Sequence, residues 1–315
     1  MPINLKYEPI TLEKQDEYIE LFSKCPCAAS DYSFVNLWGW SEEYGLEWAW
    51  TDKVVWIRQT KPELLYWSPV GQWEDVHWKK IFFNFESTIK FIRIPLRLVE
   101  LWQKYFDQHM TIIEERENWD YLYSYSELVM LKGNKFHKKK NLLNQFKKKY
   151  DFKFIPFKSD LIHDTVAMQE DWCNWRDCES DETLSSENRA ILKILRSWDK
   201  LRNVSGAVLF VDNMIVAYTV AERLSEKTVV IHFEKGCPTY KGIYQAINQM
   251  YLENSHEDFD FVNREQDLGD EGLRKAKLSY HPVDFFRKYK VIFKGENHAN
   301  RTIITNKADR ILSRQ

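Results

Sequence analysis

The stretch TVVIHFEKGCPTYKGIYQAINQMYLENSHEDFDFVNREQDLGDEGLRKAKLSYHP, residues 228–282, holds the pattern on which the fold turns. Its branched and aromatic opening predicts a strand over Lys227 to Glu234, followed by a helix from Lys241 to Leu252. A second strand, Phe259 to Asn263, and a second helix, Gly269 to Ser279, complete the order of an α/β protein. Strand alternation puts Val229, Ile231 and Phe233 on one face, and Val230, His232 and Glu234 on the other. His232 and Glu234 together at a strand end could act as general base toward an amine or hydroxyl. The plainer alternative is a satisfied, half-buried histidine beside a glutamate paired with a lysine.

Between strand and helix, the turn from Gly236 to Gly242 leads into backbone N–H groups that can receive a phosphate or carboxylate, and Gly242 permits close approach there. One glycine is a poor match to the glycine-rich loops that hold dinucleotides or coenzyme A. The run from Asn263 through Arg264 and Glu265 to Gly272 is the densest polar segment of the chain. It follows directly on an apolar strand, where α/β sheets bind ligands. Asp270 and Glu271 suit the start of the next helix, and Lys275 and Lys277 its end. On that helix Leu273, Ala276 and Tyr280 share one face, while Arg274, Lys277 and His281 form a basic row facing the strand ends. Such a row could hold an anionic oxygen in a transition state. The substrate-binding set read from this region is Asn263, Arg264, Glu265, Arg274, His281, Gly242 and Tyr244, with Glu234, His232, Lys277 and Tyr280 as catalytic candidates. The sequence lacks a G-x-S-x-G elbow, a Walker loop and H-E-x-x-H, and Glu265, Asp267, Asp270 and Glu271 lack the order of a calcium loop. No metal site is expected.

Upstream, Asp212 and Asn213 predict a tight turn joining Ala207–Val211 to Met214–Ala221 as a hairpin. Before it lie a strand, Phe152 to Pro156, and helices over Leu161 to Trp175 and Ser186 to Leu201. Between Lys132 and Lys153 nine lysines face one acid, Asp151. Phe136, Leu142, Leu143, Phe146 and Tyr150 recur there at helical spacing, which leaves Lys138, Lys139, Lys140, Lys147, Lys148 and Lys149 outward. That face could hold a polyanion, tRNA or an anionic membrane, or it could be merely solvated.

Ten of the thirteen tryptophans precede Asp120. They read as core around short strands (Leu46 to Trp50, Lys53 to Arg58, Glu63 to Trp67, Thr88 to Ile94 and Thr111 to Glu114), a helix over Trp73 to Phe85 and another after Pro95. The alternative is a surface at a membrane boundary, which indoles favour. A chain of 315 residues suggests two fused α/β units, and a net charge of −2 selects no partner. The apolar runs are too short to span a bilayer and the N-terminus lacks signal-peptide order, so a cytoplasmic location is expected. Five cysteines without zinc or C-x-x-C spacing are read as reduced, structural thiols.

The segments Val230 to Lys235, Tyr240 to Asn248 and Asn263 to Gly269 through Lys277 to Pro282 resemble stand-alone bacterial members of the phosphatidylglycerol lysyltransferase C-terminal domain family. Looser similarity in Ser30-Asp31-Tyr32-Ser33-Phe34, Asn36-Leu37-Trp38 and Tyr123 to Asn141 extends this over nearly the whole chain. The resemblance implies an α/β fold with mixed sheets in two tandem GNAT-like domains. The first is degenerate and covers residues 1–125; the second, 126–295, carries the chemistry; a loose tail, 296–315, follows. It also implies an acyl or aminoacyl transferase acting on a small-molecule or lipid acceptor. The donor would be aminoacyl-tRNA, or acetyl-CoA or another acyl-CoA, and a non-catalytic tRNA- or membrane-binding module is the remaining alternative.

Overall fold

The computed structural model describes residues 4–82, 88–255 and 257–294 and contains two mixed sheets with helices around them. The first sheet uses β1 (Glu8–Pro9), β2 (Leu46–Trp50), β3 (Val54–Gln59), β4 (Leu65–Tyr66), β5 (Val70–Gly71), β6 (Ile89–Pro95) and β7 (Met110–Glu114). It also takes in β15 (Lys288–Phe293), which inserts between β6 and β7. The second uses β8 (Asp120–Ser124), β9 (Phe152–Pro156), β10 (Val204–Val211), β11 (Met214–Ser225), β12 (Thr228–Gly236), β13 (Phe261–Asn263) and β14 (Asp284–Phe286), in the order β14-β8-β13-β12-β11-β10-β9. The helices of the first half are α1 (Gln15–Ser23), α2 (Phe34–Trp40), α3 (Trp78–Ile81) and α4 (Leu96–Phe106). Those of the second are α5 (Tyr125–Met130), α6 (His137–Lys149), α7 (Ile162–Arg176), α8 (Glu182–Arg196), α9 (Ile243–Asn254) and α10 (Glu271–Leu278).

The sheets do not divide the chain at residue 125. β8 lies before that point and belongs to the second sheet, whereas β15 lies far beyond it and completes the first. The expected tail, 296–315, lies outside the described residues. One core joins the two sheets: Tyr18, Phe34 and Trp48 pack with Tyr218, Val220 and Phe233, and with Ile191 and Ile194 of α8. Burying each such side chain contributes about 1.5–3 kcal/mol. A second core lies under α6 and α9, and a third, rich in Trp56, Trp78, Phe91 and Trp102, closes the outer face of the first sheet.

Seven of the first ten tryptophans are buried and Trp38, Trp40 and Trp50 are partly so, which makes that indole set core rather than a membrane boundary. The expected helix over Trp73 to Phe85 is instead a 3₁₀ turn at Trp73–Asp75 and the short α3. Two indoles take up local carbonyls here, Trp73 donating to Pro69 O at 2.8 Å and Trp78 to Trp73 O at 2.9 Å, and Val76 is extended. Residues 83–87 lie outside the described part. The hairpin turn at Asp212 and Asn213 adopts the left-handed conformation expected of it, with φ of 51° and 62°. The expectation of reduced thiols is corrected at one pair, since Cys173 and Cys178 form a disulfide. α7 ends on the left-handed Asp177, and the 3₁₀ turn Cys178–Ser180 folds back over the last helical turn.

Candidate active site between two splayed strands

β12 and β13 run parallel and pair only from Thr228 to Val230 against Phe261 to Asn263. Beyond Val230, β12 continues to Gly236 while the chain after Asn263 turns away, so the two strands open into a wedge. A bulge lies in the same stretch, where Val220 pairs with Phe233 but Ala221 pairs with Ile231, leaving His232 as the extra residue. The bulge resets the alternation, and the expected pairing of His232 with Glu234 on one face does not form. Phe233 now shares the inter-sheet core with Val230, while Val229 and Ile231 face α9.

Glu234 therefore looks into the wedge on the α9 side. Its carboxylate accepts from Asn248 Nδ2 at 2.7 Å and from Arg264 Nη2 at 2.5 Å. The Arg264 guanidinium bridges the opening from β13 to β12, 4.8 Å above the Tyr280 ring, and its Nη1 is buried without a hydrogen-bond partner. A guanidinium N–H left unpaired in such a place is costly unless a ligand supplies the acceptor. Two lysines share this corner. Lys277 of α10 donates to the carbonyls of Arg264 and Glu265. Burial, reinforced by repulsion from Arg264, pulls its amine down to about 8. Lys139 of α6 lies 4.1 Å over the Tyr280 ring, and burial followed by Arg264 lowers its pKa also. Tyr280 itself is buried, accepts from Gln245 Nε2 at 3.2 Å, and has its hydroxyl pKa raised by that burial.

His232 lies on the other face, fully enclosed between two carboxylates. Nδ1 is 2.7 Å from Glu265 and Nε2 is 3.2 Å from Glu222. Burial works against its charge, but Glu222 and Glu265 outweigh it and hold the imidazolium up to about 9. Glu265 also accepts from Asn36 Nδ2 of α2 at 3.1 Å, which ties this face to the first half of the chain.

Behind Glu265 lies a group of charges that the sequence reading did not assemble. Lys288 of β15 donates to Asp31 and, at 2.6 Å, to Asp120; Arg93 of β6 donates to Asp31; Asn263 Nδ2 donates to Asp120 at 2.9 Å. The Lys288, Asp31 and Asp120 side chains are completely enclosed. Burial would raise the Asp31 pKa, but Lys288 and Arg93 hold it below the ordinary range, and the two aspartates raise Lys288 in turn. The members stand at positions 31, 93, 120 and 288, so no local spacing could have revealed them.

The expected basic row on α10 separates into three. Arg274 is bound by the Asp267 carboxylate through two bonds of 2.9 Å, and Tyr121 adds a third bond to that acid at 2.6 Å. Burial opposes ionisation, yet Arg274 and Tyr121 hold Asp267 at about 2. Lys277 alone reaches the wedge. α10 ends at Leu278, so His281 lies beyond it at φ 56° and bonds to Lys135 O at 3.1 Å. A Cβ at Gly242 would meet Leu142 O of α6 at 2.2 Å, so its open space admits α6. Tyr244 stands past the end of β12, its hydroxyl 3.3 Å from both Gly236 O and Trp172 Nε1. Of the lysine set, Lys139 turns inward and Lys147 donates to Gln249 at 3.3 Å, while Lys138, Lys140, Lys148 and Lys149 stay exposed.

The profile of the family described as phosphatidylglycerol lysyltransferase, C-terminal, matches residues 24–292. The chain belongs to that family. A conserved protein of unknown function from Bacteroides thetaiotaomicron is 29% identical, with a TM-score of 0.83 over 92% of this chain and 100% of its own. The L-PGS structure from Bacillus licheniformis is 14% identical with a TM-score of 0.60, covering 92% of this chain and 93% of its own, a likeness of fold. An uncharacterised protein of Mycoplasmoides gallisepticum is 26% identical over 174 residues, so the match spans 55% of this chain and about half, 55%, of that relative. FemX, 8% identical with a TM-score of 0.57 over 95% of this chain and 100% of its own, is again a likeness of fold, and acyl or aminoacyl transfer is supported at the level of the family. Among the described residues no helix is long and apolar enough to cross a membrane.

Proposed function

We propose that this chain transfers an acyl or aminoacyl group to an amine or hydroxyl acceptor within the wedge between β12 and β13. The observation that carries the reading is the pairing of an unpartnered Arg264 N–H with the Lys277 amine held near neutrality. The acceptor's nitrogen or oxygen attacks the acyl carbonyl, and the bond from carbonyl to donor oxygen or sulfur breaks. Lys277 takes the acceptor's proton. A neutral amine has two N–H donors, which its two carbonyl partners would occupy, and its lone pair stays free. Arg264 and Lys139 hold the negative charge that develops on the carbonyl oxygen or resides on the substrate. Tyr280 supplies a proton to the leaving group. Glu234, with both oxygens engaged, serves to aim Arg264.

An aminoacyl-tRNA donor is supported by the exposed lysines of α6, which lead to the wedge through Lys139. The Leu142 carbonyl over Gly242 takes the place where an acyl-CoA pyrophosphate would meet the start of α9. A lipid-bearing acceptor is supported by α10, where Leu273 and Leu278 are 41% and 44% exposed. The test offers aminoacyl-tRNA and acyl-CoA donors separately, with amine and hydroxyl acceptors, and follows acyl release. Lys277→Met should lower turnover by about two to three powers of ten. Undiminished turnover in that variant, or no transfer from either donor class by the unmodified chain, would overturn the reading.

A further inference from the structure

Glu265 has a left-handed backbone, φ 55°, in a position where a residue with a side chain rarely rests. Such a conformation persists only where its surroundings over-determine it. Here the residue's N–H, its carbonyl and one carboxylate oxygen are committed. Its N–H donates to Asn263 Oδ1 at 2.8 Å. Its carbonyl accepts from Tyr121 N at 3.2 Å and from Lys277 Nζ at 3.2 Å. Its carboxylate takes His232 and, from α2, Asn36. The residue thus points two ways: the side chain is gripped on the inter-sheet face, and the carbonyl is turned toward the wedge.

We infer that Glu265 is a positioning residue, through which α2 and His232 fix the peptide that places Arg264 and Lys277 in the wedge. The grip at the carboxylate determines the peptide's rotation. The rotation in turn determines where the Glu265 carbonyl meets the Lys277 amine. Lys277 is faced by Arg264, which repels its charge, and by Glu265, Asp120 and Asp267, which attract it, so a small displacement toward solvent changes its proton affinity. The inference rests on the transferase reading only for its effect on turnover.

The test measures Lys277 itself. Acetic anhydride labelling as a function of pH, read by peptide mass spectrometry against exposed Lys138, should give an inflection near 8 for Lys277 in the intact chain. Glu265→Gly removes the grip while easing the left-handed backbone. Release of the amine into solvent removes the burial that depresses it most and outweighs the lost attraction of the Glu265 carboxylate, so its inflection should climb toward the ordinary lysine value of about 10.4, with labelling at pH 8 reduced on the order of tenfold or more. Asn36→Ala, which touches neither Lys277 nor Arg264, should shift the inflection in the same direction by less. Glu265→Gln, which keeps an acceptor oxygen, should restore part of the effect. An inflection that stays near 8 or falls below it in folded Glu265→Gly and Asn36→Ala, or one at about 10.4 in the intact chain, overturns the inference. A shifted inflection in a protein that transfers nothing would uphold Glu265 as the positioning residue and refute the transferase reading.

Discussion

Two groups of charges lie on either side of the segment from Asn263 to Glu265, and they are built on opposite terms. Behind it, Asp31 and Asp120 meet Arg93 and Lys288, acid for base, with Lys288 and both aspartates wholly enclosed. In the wedge, Arg264 and Lys139 stand over the Tyr280 ring, Glu234 is bound to Arg264, and Lys277 is tied to the Arg264 and Glu265 carbonyls. The first group is balanced and has no use for a ligand. The second carries surplus positive charge, an idle N–H and an amine whose pKa has been displaced by its neighbours. Balanced enclosed charges hold elements in register, whereas unbalanced ones at an opening mark where a substrate's charge completes the set.

Breaking the balanced group should produce the largest effect. Lys288→Met leaves two enclosed carboxylates without their shared cation and should cost about 3–5 kcal/mol of stability in urea denaturation. Lys277→Met is the converse case. Its charged form is held against burial, so the urea midpoint should stay level or rise while acyl transfer collapses. A loss of stability as large as that from Lys288→Met would erase the distinction between the two groups.

His232 adds a pH test. Its folded pKa, about 9, lies above the ordinary histidine value, so the stability it contributes is complete below about pH 6.5 and declines as pH rises through 9. The decline has an upper bound of roughly 3 kcal/mol. It should flatten in His232→Asn, measured by denaturation from pH 6 to 10. A slope that survives the substitution would place the titration elsewhere. The smallest effect is expected at the rim, where replacing exposed Lys138 and Lys140 by Glu should move stability by no more than about 0.5 kcal/mol. If the proposed tRNA donor binds there, its salt-dependent binding should nevertheless weaken, with the slope reduced by about one to two units. Unaltered binding would confine the basic helix to its inward residue, Lys139.

These outcomes divide along the line between what local sequence encodes and what register creates. The β10–β11 turn, the two helices that follow β12 and β13, and the lysine helix were all legible, because Asp212-Asn213 and helical apolar spacing act over a few residues. The bulge at His232 was not, since it exists only in the alignment of β12 against β11. One extra residue there sent the imidazole and Glu234 to opposite faces, although their spacing alone placed them together. Arg264 and Lys277 were legible as basic residues at a strand end and on a helix. Which cation would reach the wedge was not, because Asp267 claims Arg274 and the end of α10 releases His281. The enclosed quartet joins residues more than two hundred positions apart and leaves no trace in any window of the chain.

The insertion of β15 between β6 and β7 bears on the order of events during synthesis. The strands on either side of it leave the ribosome long before residues 288–293, so until those residues emerge the first sheet has a gap and Asp31 lacks its lysine. Half of this protein cannot mature ahead of the other, and a chain interrupted before Lys288 is an unfinished object in both of its parts.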